Sequence, residues 1–282
     1  DLPKPGRPVD EQLTVSIQRQ HSNDKSASAR KIARSLNVSP TTVVDHMRNR
    51  IGMKLVFLRN IPHILTEDQK IQRVKLSKVL LQNLTQEQET EFVLTGDECW
   101  FVHQYQLKEI WILKNEDIPV RVIDSHYTKK TMFTIFINGK GVQLIDIKPD
   151  SEKITSDYFI ANVLASIEES DLMKKAKRWK HKLCLHYDNA PSHCSQKVKE
   201  RNKNSFTKIW DHPPYSPDLA ICDFGLFGTI KNSFTGNDFD DVDDLKNAIE
   251  HFFSSKSEDF FHSLFTCWIR RLNACISNGG NY

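Results

Sequence analysis

The sequence predicts an α/β fold: a small all-helical domain, then a mixed sheet with flanking helices. Three observations predict it. Residues 10–51 carry apolar positions at helical spacing between capping residues. From residue 92, short runs rich in Val, Ile, Phe and Trp alternate with turn residues. After residue 183, strand and helix patterns take turns, which adds parallel pairs to an otherwise antiparallel sheet. A length of 282 residues accommodates one small and one larger domain. At 39% hydrophobic and 27% charged, the chain reads as soluble and globular. No apolar run approaches the roughly 18 residues of a membrane span, so no membrane partner is expected.

Residues 1–9 hold three prolines and a glycine and form a linker. Its Gly6-Arg7-Pro8 either lies in a narrow A·T-rich minor groove, with Arg7 inserted, or is a plain connector. Residues 10–52 form three helices, at about 10–20, 28–36 and from Pro40. Leu13 and Ile17 stripe the first, and Ile32, Ala33 and Leu36 the second. Ser39 caps the third, with Val43, Val44 and Met47 facing inward. This helix-turn-helix pattern exposes Thr41, Thr42, Asp45, His46, Arg48 and Arg50 to phosphates and base edges. Residues 53–90 form an interdomain segment. Its long helix opens on the capping box Thr66-Glu67-Asp68-Gln69. Val74, Leu76, Val79, Leu80 and Leu81 give an apolar stripe, while Lys70, Arg73, Lys75 and Lys78 coat the other side.

Residues 91–282 form the sheet domain. Strands are expected at 92–94, 101–105, 110–113, 132–136, 142–147, 183–187 and 206–210, with helices at about 156–169, 191–203, 222–233, 241–254 and 257–276. The acidic run 238–250 is the solvated start of a helix. Net charge is only +3, from 39 basic and 36 acidic residues. The basic residues concentrate in the first 60, which suits a polyanionic partner. Six cysteines without a C-x-x-C pair point to thiols in a reducing setting. A zinc site from His186, His193 and Cys194 lacks a second cysteine pair.

The chemistry rests on Asp97, Asp188 and Asp223. Each stands in a distinctive context: Thr95-Gly96-Asp97-Glu98, His186-Tyr187-Asp188-Asn189-Ala190, and Tyr215 through Ala220 leading to Asp223. Three convergent carboxylates can hold two hard divalent cations, Mg²⁺ or Mn²⁺. Such a pair activates water and stabilises the leaving oxygen of a phosphodiester, the chemistry of a nuclease or strand transferase. Each aspartate alone is an ordinary turn or cap residue. Asn189 is expected to orient Asp188. His193 either positions the scissile phosphate or packs in its helix. Glu98 points away from Asp97 by strand alternation and is read as structural. Lys129 and Lys130 suit phosphate contact. The cluster Lys174, Lys175, Lys177, Arg178, Lys180 and Lys182 is read as a basic turn for the DNA backbone or nuclear import, or as a solvated surface.

With these residues the chain resembles a mariner-type DNA transposase. The likeness runs through Gly6-Arg7-Pro8, Ile61-Pro62-His63, Leu65-Thr66-Glu67, Thr95 to Glu98 with Trp100, Lys129 to Met132, His186 to His193 and Tyr215 to Asp223. The gap of 34 residues between the second and third acids (223 − 188 − 1) matches the mariner arrangement that ends in aspartate. The resemblance implies a ribonuclease H-like sheet, two divalent ions and no organic cofactor. It implies cut-and-paste transposition by a homodimer acting on double-stranded terminal inverted repeats and TA targets, in the nucleus. The chain departs from the family in three ways. It starts at the linker, as though the first of two helix-turn-helix units were missing. Asn60 and Ile64 replace the usual Trp and Glu around the Pro-His segment. Ile221-Cys222 replace Pro-Ser. A truncated or domesticated copy that only binds DNA is the alternative expectation.

Overall fold

The structure, a computed structural model, describes residues 10–25, 27–55, 63–87, 90–105, 129–148 and 154–282. The linker with Arg7, the Asn60 position and the strand expected at 110–113 lie outside the described residues. The chain divides into two compact units, residues 1–60 and 61–282.

In the first unit α1 (Glu11–Asn23), α2 (Ala29–Leu36) and α3 (Pro40–Asp45) enclose a core of Ile17, Ile32, Ala33 and Val43. Asp10 and Ser28 cap the first two helices, and Asn37 ends α2 in the left-handed region at φ 53°. Ser39 caps α3 ahead of Pro40 as the sequence predicts. The helix then widens into a π-type turn over His46–Arg50. Thr41, Arg48 and Arg50 are exposed and Thr42 is half-buried. His46 departs from expectation: it is buried, and its Nδ1 meets the Thr14 hydroxyl at 2.8 Å. It braces α1 and is not available to DNA.

In the second unit α4 (Glu67–Gln86) opens on the expected capping box. It packs along the last helix, α12 (Glu258–Ser277), so it is part of this unit and not a connector. Its buried face is Arg73, Ser77, Leu80 and Leu84, while Ile71 and Val79 are exposed. The expected stripe was rotated because an arginine was assigned to water. Arg73 instead goes inside, where Asp218 pairs with it.

Among the described residues five strands form one sheet in the order β3-β2-β1-β4-β5: β1 (Val93–Val102), β2 (Lys130–Asn138), β3 (Gly141–Lys148), β4 (Leu183–His186) and β5 (Thr207–Trp210). β1 pairs antiparallel with β2 and parallel with β4, and β5 runs parallel to β4. This is the ribonuclease H-like mixed sheet, with helices on both faces. β1 is one continuous strand where two were expected, so Asp97 lies inside it. Alternation sorts the side chains. Val93 and Phe101 face one core with α12, and Phe92 and Leu94 face the other. The first core is closed by the π-type turn Cys222–Leu226, α10 (Phe227–Ser233), α11 (Val242–Ser254) and α12. The second is closed by the helical run 156–169, by α7 (Asp171–Trp179) and by α9 (Gln196–Lys203), which follows the short α8 (Pro191–Cys194). The basic cluster expected as a turn is therefore mostly the helix α7, with Lys175 paired to Glu91 at 2.7 Å.

Candidate active site

The β1–β4 register brings the first two acids together. Thr95 pairs with His186, and two residues further along these parallel strands stand Asp97 and Asp188. Neighbouring strands are about 4.8 Å apart. Asp223 enters from the π-type turn, which packs on β1. Gly96 keeps β1 in place: a Cβ there would enter the Phe136 ring on β2.

The two strand carboxylates share a feature. Asp97 Oδ1 accepts from the Glu98 N–H at 2.8 Å. Asp188 Oδ1 accepts from the Ala190 N–H at 2.9 Å and from His193 Nδ1 at 2.8 Å. In each, one oxygen is fixed, and Oδ2 accepts no hydrogen bond from the described residues.

Glu98 does point away from Asp97, as alternation requires, and it finds His193 there. His193 Nε2 meets Glu98 Oε1 at 3.1 Å while its Nδ1 holds Asp188. The ring is 2% exposed and lies against Phe159 and Tyr187. With a carboxylate on each nitrogen, the imidazole carries both protons. Burial pulls its pKa down, but Asp188 and Glu98 override this and raise it to about 10. His193 thus has no nitrogen left for a phosphate. It ties Asp188 to Glu98, and Glu98 is a member of the site that its structural reading missed.

A second buried chain supports the end of β4. His212 Nε2 faces the Ser216 carbonyl at 3.1 Å, so it must donate. His212 Nδ1 then accepts from His186 Nε2 at 3.1 Å, and His186 Nδ1 accepts from the Thr95 hydroxyl at 3.0 Å. Burial holds both imidazoles neutral, with His186 well below its usual value and His212 down at about 4. His186 and His193 belong to separate networks, so the conceivable zinc site does not form. Asn189 donates to the His212 carbonyl at 2.8 Å and does not reach Asp188. It fixes the loop beyond β5 instead of the aspartate.

Arg73 explains the Tyr215–Ala220 motif. Its Nη1 and Nη2 donate to the two oxygens of Asp218, each at 2.8 Å, and its Nε donates to the Gly280 carbonyl at 2.8 Å. Ser216 and the Tyr282 ring complete the cage. The segment that leads to Asp223 is thereby clamped to α4.

The acids feel one another. Burial, then Asp188, Glu98 and Asp223, push the Asp97 carboxyl well above the usual carboxylate range. Burial and Asp188 raise Asp223 to about 6, against a pull from Lys231. Asp188 lies lower than usual because the hydrogen bonds from His193 and the Ala190 N–H outweigh its burial. Lys231, on α10, has its ammonium 5.5 Å from the Phe101 ring centre. No motif marks this lysine in the sequence, and only the packing of α10 on β1 reveals it.

Among the described residues no group of three His, Cys, Asp or Glu stands at metal-ligand spacing. Unscreened like charges hold apart, and a divalent cation is what relieves them. The donor chemistry fits Mg²⁺ or Mn²⁺: three hard carboxylates, two of them with one oxygen fixed. Of the remaining expected contacts, Lys130 starts β2 with its ammonium 4.7 Å from the Trp100 ring centre. Lys129 donates to the Asp240 carbonyl at 3.4 Å, and both lysines are exposed.

No protein-family model matches the chain. It is 28% identical over 286 residues to the human histone-lysine N-methyltransferase SETMAR, covering 100% of this chain. It spans 41% of SETMAR's length. It is 23% identical over 280 residues to the mariner Mos1 transposase of Drosophila mauritiana, covering 98% of this chain and 81% of that protein. Among solved structures it resembles the Mos1 mariner paired end complex with Mn, at TM-score 0.81 and 22% identity, over 100% of this chain and 83% of that one. It resembles the Mos1 transposase catalytic domain with raltegravir and Mn at TM-score 0.63 and 22% identity, over 78% of this chain and 99% of that one. The likeness to mariner transposases thus extends over the full length, well beyond the motifs.

Proposed function

We propose that this chain is a mariner-type DNA transposase that cuts phosphodiesters at the ends of its element and joins them to TA targets. The observation that carries the reading is the meeting of Asp97, Asp188 and Asp223, with Oδ2 of the first two left for a cation. Asp97, Asp188 and Asp223 hold Mg²⁺ or Mn²⁺. Two such ions, when bound, supply an activated water or 3′-hydroxyl and neutralise the leaving oxygen. His193 keeps Asp188 ionised and fixed in direction, and Glu98 anchors His193 from the neighbouring strand. The Arg73 cage sets the approach of the segment bearing Asp223. In the first unit, Thr41, Arg48 and Arg50 meet DNA, with Thr42 at the edge. Likeness to a paired-end complex and a strand transfer complex supports double-stranded DNA as partner, action as a homodimer and work in the nucleus.

The test is nicking of a plasmid that carries the genomic ends flanking this gene, in Mg²⁺ or Mn²⁺. The wild type should nick it and Asp188→Ala should not; equal nicking by both defeats the reading. The second reading, a copy that binds DNA without cutting it, draws on the likeness to SETMAR, which is named as a methyltransferase and not as a transposase. It requires a wild type that binds these ends in either metal and leaves them intact.

A further inference from the structure

A cavity of about 320 Å³ opens beside Asp188, between α9 and the end of β5. Val198 and Ile209 supply apolar lining, and Asn202 and Asp211 supply polar groups. Its volume lies in the range of small-ligand sites. The cations of α9 divide around it. Lys197 pairs with Asp157 at 2.8 Å, and Arg201 pairs with Glu168 at 2.7 Å. Lys199 and Lys203 line the cavity, are exposed, and form no ion pair among the described residues. Four residues of helix separate them, about 6 Å along the axis, the order of the step between successive phosphates of one strand.

The geometry points to a nucleotide subsite. Two neighbouring phosphates rest on Lys199 and Lys203, and the base between them turns out of the stack into the cavity. This rests on the transposase reading, because the Asp188 wall of the cavity is the proposed metal ligand. The chemistry favours a nucleotide. The phosphates displace counterions from two lysines with no carboxylate partner. The apolar lining takes the face of a ring. Asn202 and Asp211 offer hydrogen-bond partners to a base edge, and Asp211 can accept from an exocyclic amino group. The strand that passes Asp188 is the one in reach.

The experiment uses the full chain and duplexes bearing the element's ends, with 2-aminopurine placed in turn at each position next to the cut. The wild type should brighten one position as its base leaves the stack. Lys199→Gln/Lys203→Gln should abolish that brightening and lower the slope of log affinity against log salt by about 1.4–1.8, for two lost phosphate contacts. A control pair on α11 and its end, Lys246→Gln/Lys256→Gln, should change neither. All variants should keep the wild-type melting temperature, since both target lysines are exposed. A wild type that nicks DNA but brightens no position, or a double variant with an unchanged slope, overturns the subsite and leaves the transposase reading standing. A wild type that neither binds nor nicks defeats both.

Discussion

Replacing Arg73 with methionine removes the most connected buried cation in the second unit. The guanidinium is fully buried, while the Asp218 side chain retains 26% exposure. The variant loses a bidentate ion pair, a bond to Gly280 and another to Ser216, and contact with the Tyr282 ring. Breaking one side of a buried pair costs about 3–5 kcal/mol, chiefly because the partner charge is stranded. The residual solvation of Asp218 sets the expectation at the lower end, about 3 kcal/mol. For a unit of this size each kcal/mol moves the midpoint by about 2–4 °C, so melting should fall by about 6–12 °C. Calorimetry of the full chain would measure it. Arg73→Met/Asp218→Leu should recover a large part of the loss, because neither charge is then left alone. A single variant within 1 kcal/mol of wild type, or a double variant worse than the sum of the singles, refutes the reasoning. Nicking should fall further than DNA binding, since the clamp acts on the segment that carries Asp223.

Other outcomes follow from the same geometry. The raised pKa of His193, from 6.5 to about 10, makes the folded state bind more protons than the unfolded one between those values. Its stabilisation is complete below about pH 6.5 and is lost as pH rises through 10. Urea melts in EDTA should therefore weaken from pH 7 to 10 in the wild type and less steeply in His193→Leu; parallel curves contradict the imidazolium bridge. Gly96→Ala drives a methyl into the Phe136 ring and should cost about 1–3 kcal/mol. Chemical denaturation would expose an error there as an unchanged midpoint. Arg48→Gln/Arg50→Gln should lower the salt slope of DNA binding by about 1.8 if both contact phosphates of a duplex; an unaltered slope removes them from the interface.

The three aspartates were legible because each sits in a motif whose order and spacing are unusual, and the strand patterns around them gave the sheet. Ser39-Pro40 marked the third helix for a local reason, a cap followed by a residue suited to the first turn. The errors have a common origin: periodicity reports average polarity, and it does not report partners. Arg73 was placed outside because nothing local announces Asp218, 145 residues away. His46 was placed on the DNA face because its partner Thr14 lies on another helix. Glu98 was oriented correctly and still misjudged, since its role depends on a histidine 95 residues further along. Lys231 carries no sequence signal, and its position follows from how α10 crosses β1.

The central claim is that Asp97, Asp188 and Asp223 form one cation site. Calorimetric titration of the full chain with Mn²⁺ tests it most directly, alongside Asp97→Asn, Asp188→Asn and Asp223→Asn. The account predicts uptake of two ions by the wild type and loss of at least one in each variant, with folding intact. No uptake by the wild type, or the same uptake in all three variants, would contradict it.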